Sequence, residues 1–160
     1  YTLVNAAKVV SSETMQAAAD SAVQIFASAA YKRNHLVGRA FVDSRPFQIF
    51  EGSNDVLHEN TCEAIVGKHG RCDRAALEDE LQLYGLPFPD ALPQAALDLL
   101  TGDTELSQRQ KVQLGRIIAW VFIRSIHRRT PASCASLQVE AEGVAQQRIA
   151  ELAAAMAYLG

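Results

Sequence analysis

The chain has 160 residues, of which 49% are hydrophobic and 21% are charged, and its net charge is −3. That length can bury one sizeable core or two small helical ones, and the composition excludes a disordered or fibrous protein. The slight acidity gives no reason to expect a polyanion as partner. No stretch approaches the roughly 20 apolar residues of a membrane span, and no basic-then-apolar leader opens the chain. The three cysteines form no Cys-x-x-Cys pair, which favours free thiols and a cytoplasmic location.

The first half of the chain predicts helices separated by turns. Apolar residues recur near helical spacing over residues 2–30 without Pro or Gly, which predicts one long helix. Residues 31–46 contain turn-forming residues, with a short helix expected over residues 37–41. Ser53 is a good N-cap for a helix over residues 53–67, which Gly67 or Gly70 can end. Glu51 is therefore expected in the loop between two helices.

The middle of the chain predicts two shorter helices. Asp73 is the expected N-cap of the first, whose apolar positions are Leu77, Leu81 and Tyr84. Residues 85–89 read Gly-Leu-Pro-Phe-Pro, which breaks a helix and predicts a linker. The second short helix is expected to bury Leu97 and Leu100.

The last third predicts a pair of long helices. Ser107 and Gln110 have the spacing of a capping box at the start of the first helix. Its apolar stripe follows at helical spacing, with Leu114, Ile117, Ile118, Val121 and Phe122. Trp120 lies off this stripe and is expected to meet a partner. Thr130 and Pro131 are the expected start of the second helix, whose stripe contains Ile149, Leu152, Ala153 and Met156. Facing stripes predict an antiparallel pair, and the whole chain an all-α bundle.

One carboxylate has an unusual sequence environment. Glu51 follows Ile49 and Phe50, precedes Gly52, which permits a tight turn, and lies just before the predicted N-cap Ser53. Apolar neighbours disfavour the charged form of a carboxyl group, whereas a helix N-terminus favours it. Glu51 is therefore a candidate general base.

Three segments carry a resemblance to a known family. They read Asp-Ser-Ala-Val-Gln-Ile-Phe at 20–26, Val-Gly-Arg-Ala-Phe-Val-Asp at 37–43 and Gln-Ile-Phe-Glu-Gly-Ser-Asn-Asp-Val at 48–56. In this order and at this spacing they resemble the C-terminal helical domain of acyl-CoA dehydrogenases, the third segment most specifically. The resemblance covers about residues 1–68. We therefore expect an all-α bundle of that type over residues 1–68 and an additional helical subdomain over residues 69–160.

The resemblance implies an FAD-dependent oxidoreductase that desaturates an acyl-CoA thioester between its α and β carbons. Glu51 stands at the position of the family's general base, which removes the α-proton while the flavin takes the β-hydrogen as hydride. Gly52 is then expected to contact the substrate. The implied partners are an acyl-CoA, further copies or the remaining domains of the same enzyme, and electron-transfer flavoprotein as candidate electron acceptor.

The resemblance also implies which residues contact FAD. Gln24 matches a glutamine that reaches the FAD of a neighbouring subunit, and Ser53 matches a threonine beside the flavin. Asp55 lies in the same segment as Ser53, and Ser28 follows shortly after the segment that contains Gln24; these two residues complete the expected set. The chain departs from the family at residues 27–30, where Ala-Ser-Ala-Ala replaces Gly-Gly-x-Gly, and the second family arginine of the 37–43 segment is a valine here. Added methyl groups obstruct a close approach of backbone to phosphate.

The chain starts at Tyr1 inside a predicted helix and lacks the N-terminal helical and β-domains that the family carries. We therefore expect a piece of a larger enzyme that is inactive by itself. The alternative function is a non-catalytic helical assembly or binding module that retains the family's shape. In that case Glu51 is a helix-terminal carboxylate that accepts backbone hydrogen bonds.

A zinc site is an alternative interpretation of a short cluster of nitrogen and sulfur ligands. His58 and Cys62 are four residues apart on one helix face, and His69 and Cys72 follow shortly. Zinc accepts such a ligand set, but this spacing fits no standard zinc pattern. A free cysteine is commonly a small buried hydrophobe, so no metal site is predicted.

A binding surface is suggested by basic residues near the penultimate helix. They are Arg109, Lys111, Arg116, Arg124, Arg128 and Arg129. Such a helix can meet nucleic acid, an anionic membrane surface or an acidic partner. The acidic chain and the absence of interleaved exposed aromatics favour a solvated face balanced by Glu140, Glu142 and Glu151, and argue against nucleic acid. Contact with a membrane surface stays open.

Overall fold

The computed structural model describes residues 2–67, 74–83, 85, 92–129 and 135–159. These residues form α-helices joined by turns and two 3₁₀ segments, and they contain no strand, so the predicted all-α class is confirmed. The α-helices are α1 Thr2–Phe26, α2 Leu36–Ser44, α3 Asn54–Val66, α4 Arg74–Leu83, α5 Gln94–Thr101, α6 Gln108–Arg129 and α7 Ala135–Met156. The 3₁₀ segments are Ala27–Tyr31, which follows α1, and Arg45–Gln48, which follows α2.

The core is built around α6, which packs against α1, α3 and α7. All five residues of the predicted stripe of α6 are buried. Trp120, which lies off that stripe, is also buried, with only 9% of its surface exposed. The expectation that Trp120 meets an external partner is therefore wrong. Helices cover α6 on several sides, so its buried surface extends beyond a single stripe.

The helices α6 and α7 form the predicted antiparallel pair. Near the start of α6, Gln113 Nε2 donates to the carbonyl oxygen of Leu152 at 2.9 Å. Near its end, Gln138 Nε2 donates to the carbonyl oxygen of His127, also at 2.9 Å. The capping box at the start of α6 is present as well, because Ser107 N–H donates to Gln110 Oε1 at 2.9 Å and Gln110 N–H to Ser107 Oγ at 3.3 Å.

The contact between α3 and α6 requires a glycine. A Cβ atom placed on Gly115 of α6 would lie 1.9 Å from the carbonyl oxygen of His58 in α3. Only hydrogen fits in that space, so Gly115 allows the two helix backbones to approach closely. Residues from both halves of the sequence therefore share one core. The division into residues 1–68 and 69–160 stays a prediction.

The first helix is shorter than predicted. It ends at Phe26. The next residue, Ala27, has a φ of 46°, which lies in the left-handed region that residues other than glycine rarely adopt. The chain then continues as the 3₁₀ segment, which packs on α2. A Cβ on Gly38 would lie 2.2 Å from the carbonyl oxygen of Ala30. Residues 27–30 are therefore a packed turn rather than a continuation of α1.

Several other predictions can be compared with the described residues. The short helix predicted over 37–41 extends over Leu36–Ser44, and α3 ends at the predicted Gly67, whose φ is 70°. The expected caps at Asp73 and at Thr130–Pro131, and the stop at Gly70, lie outside the described residues. The same is true of Tyr84 and of residues 86–89 of the expected linker. Among the helices that the structure describes, none could span a membrane.

Candidate active site

Glu51 lies in a turn with two successive left-handed residues. The turn follows the second 3₁₀ segment, and the amides of Ile49 and Phe50 donate to the carbonyl oxygen of Pro46 at 2.9 and 3.0 Å. Glu51 then has a φ of 59° and Gly52 a φ of 106°. The left-handed conformation costs a non-glycine residue about 1–2 kcal/mol. Such strain persists only where surrounding contacts enforce it.

The environment of Glu51 differs from the one expected. Its side chain is exposed, and so are those of its sequence neighbours Ile49 and Phe50, at 57% and 61%. The expectation that Ile49 and Phe50 shield the Glu51 carboxylate from water is therefore wrong for this chain by itself. The carbonyl of Pro46 in the preceding 3₁₀ segment accepts from the backbone amides of residues 49 and 50, and all three side chains remain exposed.

A cavity of about 410 Å³ adjoins the carboxylate. It lies between α1 and the turn, and most of its surface is apolar. Its lining residues are Lys8, Ser11, Ser12, Met15, Phe47, Phe50 and Glu51. This volume falls within the range of small-molecule sites, and Glu51 and Lys8 supply its charged groups.

Lys8 of α1 connects the turn to the core. Its Nζ donates to the carbonyl oxygen of Gly52 at 3.0 Å and to Asn54 Oδ1 at 2.8 Å. Partial burial lowers the pKa of Lys8 from 10.5, and the negative charges of Glu51 and Glu13 act in the opposite direction. Lys8 is not among the site residues predicted from the sequence. The available signal is that Lys8 is the one charged residue among residues 2–12 of an otherwise uncharged helix segment.

A buried polar network supports the turn from behind. Asn54 Nδ2 donates to Ser12 Oγ at 3.0 Å and to Glu13 Oε1 at 3.4 Å. The same Glu13 oxygen lies 3.1 Å from His58 Nε2, which donates to it. Burial alone would raise the pKa of Glu13, but the hydrogen bond and charge of His58, with Arg116 and Asn54, bring the pKa below 4.5. The Asn54 amide is thus fixed on both sides, by Lys8 and by this network.

The N-terminus of α3 carries two of the expected cofactor residues. Ser53 occupies the N-cap position, with an extended backbone whose carbonyl accepts from Leu57 N–H at 3.0 Å. Its hydroxyl makes no capping hydrogen bond and is exposed, so the expected side-chain cap is wrong. Asp55 is exposed, and its Oδ1 accepts from an Arg116 guanidinium nitrogen at 2.9 Å.

Of the other two expected cofactor residues, Gln24 lies at the far end of α1 and Ser28 in the 3₁₀ segment that follows it. Gln24 and Ser28 are both exposed. Gln24 is sixteen residues beyond Lys8 on one continuous helix, which corresponds to about 24 Å at 1.5 Å per residue. The Glu51 turn, to which Lys8 binds, and the Gln24 end of α1 are therefore separate regions of the chain.

The residues considered for zinc have other roles in the described structure. His58 is 1% exposed, and its Nε2 is engaged by Glu13. Cys62 is fully buried as a free thiol, and burial raises its pKa to about 12. A thiol with such a pKa packs as a small hydrophobe rather than reacting as a thiolate. His69 and Cys72 lie outside the described residues, and among the described ones no group of three metal-binding side chains occurs.

Most of the basic residues near α6 have polar partners within the chain. Lys111 contacts Glu63 at 2.8 Å, and Arg128 contacts Glu142 at 3.3 Å. Arg116 bonds to Asp55, as described above, and the buried Arg124 donates to Gln146. The expected balancing carboxylates therefore come from α3 as well as from α7. A nucleic-acid or membrane surface at this position stays untested.

Comparison with known families agrees with the motif-based resemblance. Residues 2–66 match the family described as acyl-CoA dehydrogenase, C-terminal domain. The resemblance that the three motifs carry is thus confirmed over α1, α2 and α3. The match ends with α3, and α4 to α7 lie outside it. No curated protein and no solved structure matches the chain.

Proposed function

We propose that the chain is the C-terminal part of an FAD-dependent acyl-CoA dehydrogenase-like enzyme, in which Glu51 is the general base. The observation that carries this proposal is the left-handed Glu51 at the mouth of a largely apolar cavity, within the segment that matches the family. A strained non-glycine residue whose charged side chain faces a cavity is a common feature of active sites. A purely structural turn would accommodate glycine at this position at lower cost.

In the proposed reaction the Glu51 carboxylate accepts the proton of the substrate's α-carbon. The electron pair of that C–H bond forms the α,β double bond as a hydride leaves the β-carbon. That proton is weakly acidic, so the developing negative charge on the thioester oxygen needs hydrogen-bond donors. The backbone N–H groups of Glu51 and Gly52 are the proposed donors, which gives Gly52 its substrate-binding role. When bound, FAD supplies the acceptor for the hydride.

The fit of this chain to FAD differs between its two regions. The exposed Ser53 hydroxyl is not committed to a helix cap, and the exposed Gln24 amide can donate and accept, so both fit a flavin contact. The exposed Asp55 and Ser28 belong to the same proposal. Residues 27–30 fit poorly, because each carries a Cβ where the family has mostly glycine, which obstructs a close approach of backbone to phosphate, and the Ala30 carbonyl is packed against Gly38.

The separation between Gln24 and the Glu51 turn supports an oligomer. Two regions about 24 Å apart along α1 do not reach the same isoalloxazine ring from one subunit. We therefore propose that Gln24 serves the flavin of a second copy. An acyl-CoA is the proposed substrate, and electron-transfer flavoprotein is the proposed acceptor of the electrons. The buried free thiol of Cys62 suits the proposed cytoplasmic location.

A second candidate function is a non-catalytic assembly module of the same shape. It is favoured by Ala27, which has a φ of 46° at a position where the family has glycine. The left-handed turn is therefore kept, but without the glycine that would allow close contact with a phosphate. This candidate predicts that the full-length protein binds no FAD. The role of the helices α4 to α7 would then be contact between subunits.

The test begins with the absorbance spectrum of the full-length parent protein and anaerobic addition of acyl-CoA thioesters of several chain lengths. Bound flavin that bleaches with one thioester supports the dehydrogenase and identifies its substrate class. Glu51→Gln should retain flavin and lower the rate of bleaching by several orders of magnitude. A colourless protein that takes up no FAD would support the assembly module, and a Glu51→Gln variant of wild-type activity would exclude Glu51 as the base.

A further inference from the structure

Lys8 contacts the backbone of the turn rather than a carboxylate. Its Nζ lies 3.0 Å from the carbonyl oxygen of Gly52, directly after the left-handed Glu51. A hydrogen bond from an ammonium group to a carbonyl is stronger than one between neutral groups. The left-handed conformation of Glu51 is strained, and the carbonyl that accepts this bond belongs to the next residue. The Lys8 bond therefore helps to hold the strained turn.

The ammonium group is itself held in place. Asn54 Oδ1 accepts from Lys8 Nζ at 2.8 Å, and the Asn54 amide nitrogen donates to Ser12 Oγ at 3.0 Å. Lys8 and Ser12 are one turn apart on α1, so a rigid helix supplies both ends of this arrangement. The position of the Gly52 carbonyl is thus fixed by contacts with α1 and the core, and it does not depend on the exposed residues of the turn.

We propose that Lys8 is a positioning residue for Glu51. Lys8 fixes the Gly52 carbonyl, and this contact holds the left-handed turn that carries Glu51. This role rests on the proposed function, in which Glu51 is the base. Lys8 also lines the same cavity as Glu51, so its positive charge faces the region where the substrate's negative charge develops. Without the Lys8 bond the turn relaxes and the carboxylate moves away from the α-carbon. A displacement of about 1 Å is enough to lower a rate by roughly 10²-fold.

The test uses the full-length holoenzyme with Lys8→Met, which keeps the length and apolar part of the side chain but removes its donor. We expect the single-turnover rate of flavin bleaching to fall about 10²-fold, with little change in KM or in flavin content. Lys8→Arg, which restores a charged donor, should recover part of the rate. Lys111→Met is the matched control, since Lys111 is likewise a half-buried lysine that donates a hydrogen bond between core helices, but its partner is Glu63, away from the turn. This control should bleach at the wild-type rate.

A double variant separates positioning from an independent effect. If Lys8 acts through Glu51, then Lys8→Met combined with Glu51→Gln should be no slower than Glu51→Gln alone. A crystal structure of the flavin-free Lys8→Met protein should also show that residue 51 has left the left-handed region. Wild-type bleaching by Lys8→Met, together with an inactive Glu51→Gln, would overturn the role of Lys8 and leave the proposed function standing. Wild-type bleaching by Glu51→Gln would overturn both.

Discussion

The buried His58 of α3 donates from its Nε2 to the Oε1 of Glu13 in α1, over 3.1 Å. This hydrogen bond joins two helices of the core directly behind the Glu51 turn. Because Asn54 binds the same carboxylate oxygen, the ionisation of Glu13 affects both the fold and the support of the turn. The structure therefore predicts a dependence of stability on pH that is centred on Glu13.

Glu13 should contribute stability that is lost in acid. Its pKa in the folded chain lies below the value of 4.5 that it has when unfolded. For a carboxyl group with a lowered pKa, the contribution is fully present above the unfolded pKa and is lost as the pH falls through the folded pKa. Glu13→Gln should lower the free energy of unfolding by about 1.5–3 kcal/mol at neutral pH. Urea unfolding at a series of pH values should show this difference shrinking in acid. A difference independent of pH would contradict this role.

Gly115→Ala should be severely destabilising. The added methyl group would lie 1.9 Å from the His58 carbonyl oxygen, so α3 and α6 must separate. Overpacking in a core costs about 1–3 kcal/mol of unfolding free energy. We expect a cost at the upper end of this range, because the clash is with a backbone atom that cannot move away by changing a rotamer. The matched control is Gly143→Ala in α7, whose Cβ would have no neighbour within 4 Å. That substitution should stabilise the chain by about 0.5–1 kcal/mol through helix propensity. Thermal unfolding of both variants would test the pair, and equal effects would refute the close approach.

Ala27→Gly should stabilise the chain. Ala27 has a φ of 46°, which costs about 1–2 kcal/mol in a residue with a Cβ, whereas glycine adds entropy of about 0.4–1 kcal/mol to the unfolded chain. The expected net gain in unfolding free energy is about 0.5–1 kcal/mol. Ala29→Gly, two residues later and without a positive φ, should instead destabilise. Chemical denaturation of both variants gives the comparison, and a loss of stability in Ala27→Gly would argue against the left-handed turn.

Glu51→Gly should separate stability from activity. Glycine adopts a φ of 59° without strain, so the variant should gain about 0.5–1 kcal/mol of unfolding free energy while losing the proposed base. Glu51→Gln retains the Cβ and hence the strain, and it should be inactive without this gain. Thermal unfolding and flavin bleaching, measured on the same full-length preparations, would test both expectations. If Glu51→Gly is less stable than wild type, the side chain of Glu51 makes a stabilising contact that outweighs its strain.

Patterns along the chain predicted several of the helices and carried the family resemblance. Helical spacing correctly predicted the stripe of α6 and its pairing with α7, because an amphipathic helix must bury its apolar face. The capping box of Ser107 and Gln110 was equally predictable, since both partners lie within one turn. Glu51 was singled out by its motif, and its position in a loop between helices was correct.

What surrounds these helices depends on contacts between distant parts of the chain. The burial of Trp120 depends on which helices cover α6, and the exposure of Ile49 and Phe50 depends on what the turn faces, so neither follows from spacing along the chain. Lys8 and Gly52 are 44 residues apart in sequence, and Gly115 meets His58 across two helices. Local periodicity reports which face of a helix is apolar. It contains no information on which backbone atoms of distant segments meet, and those contacts determine the geometry of the candidate site.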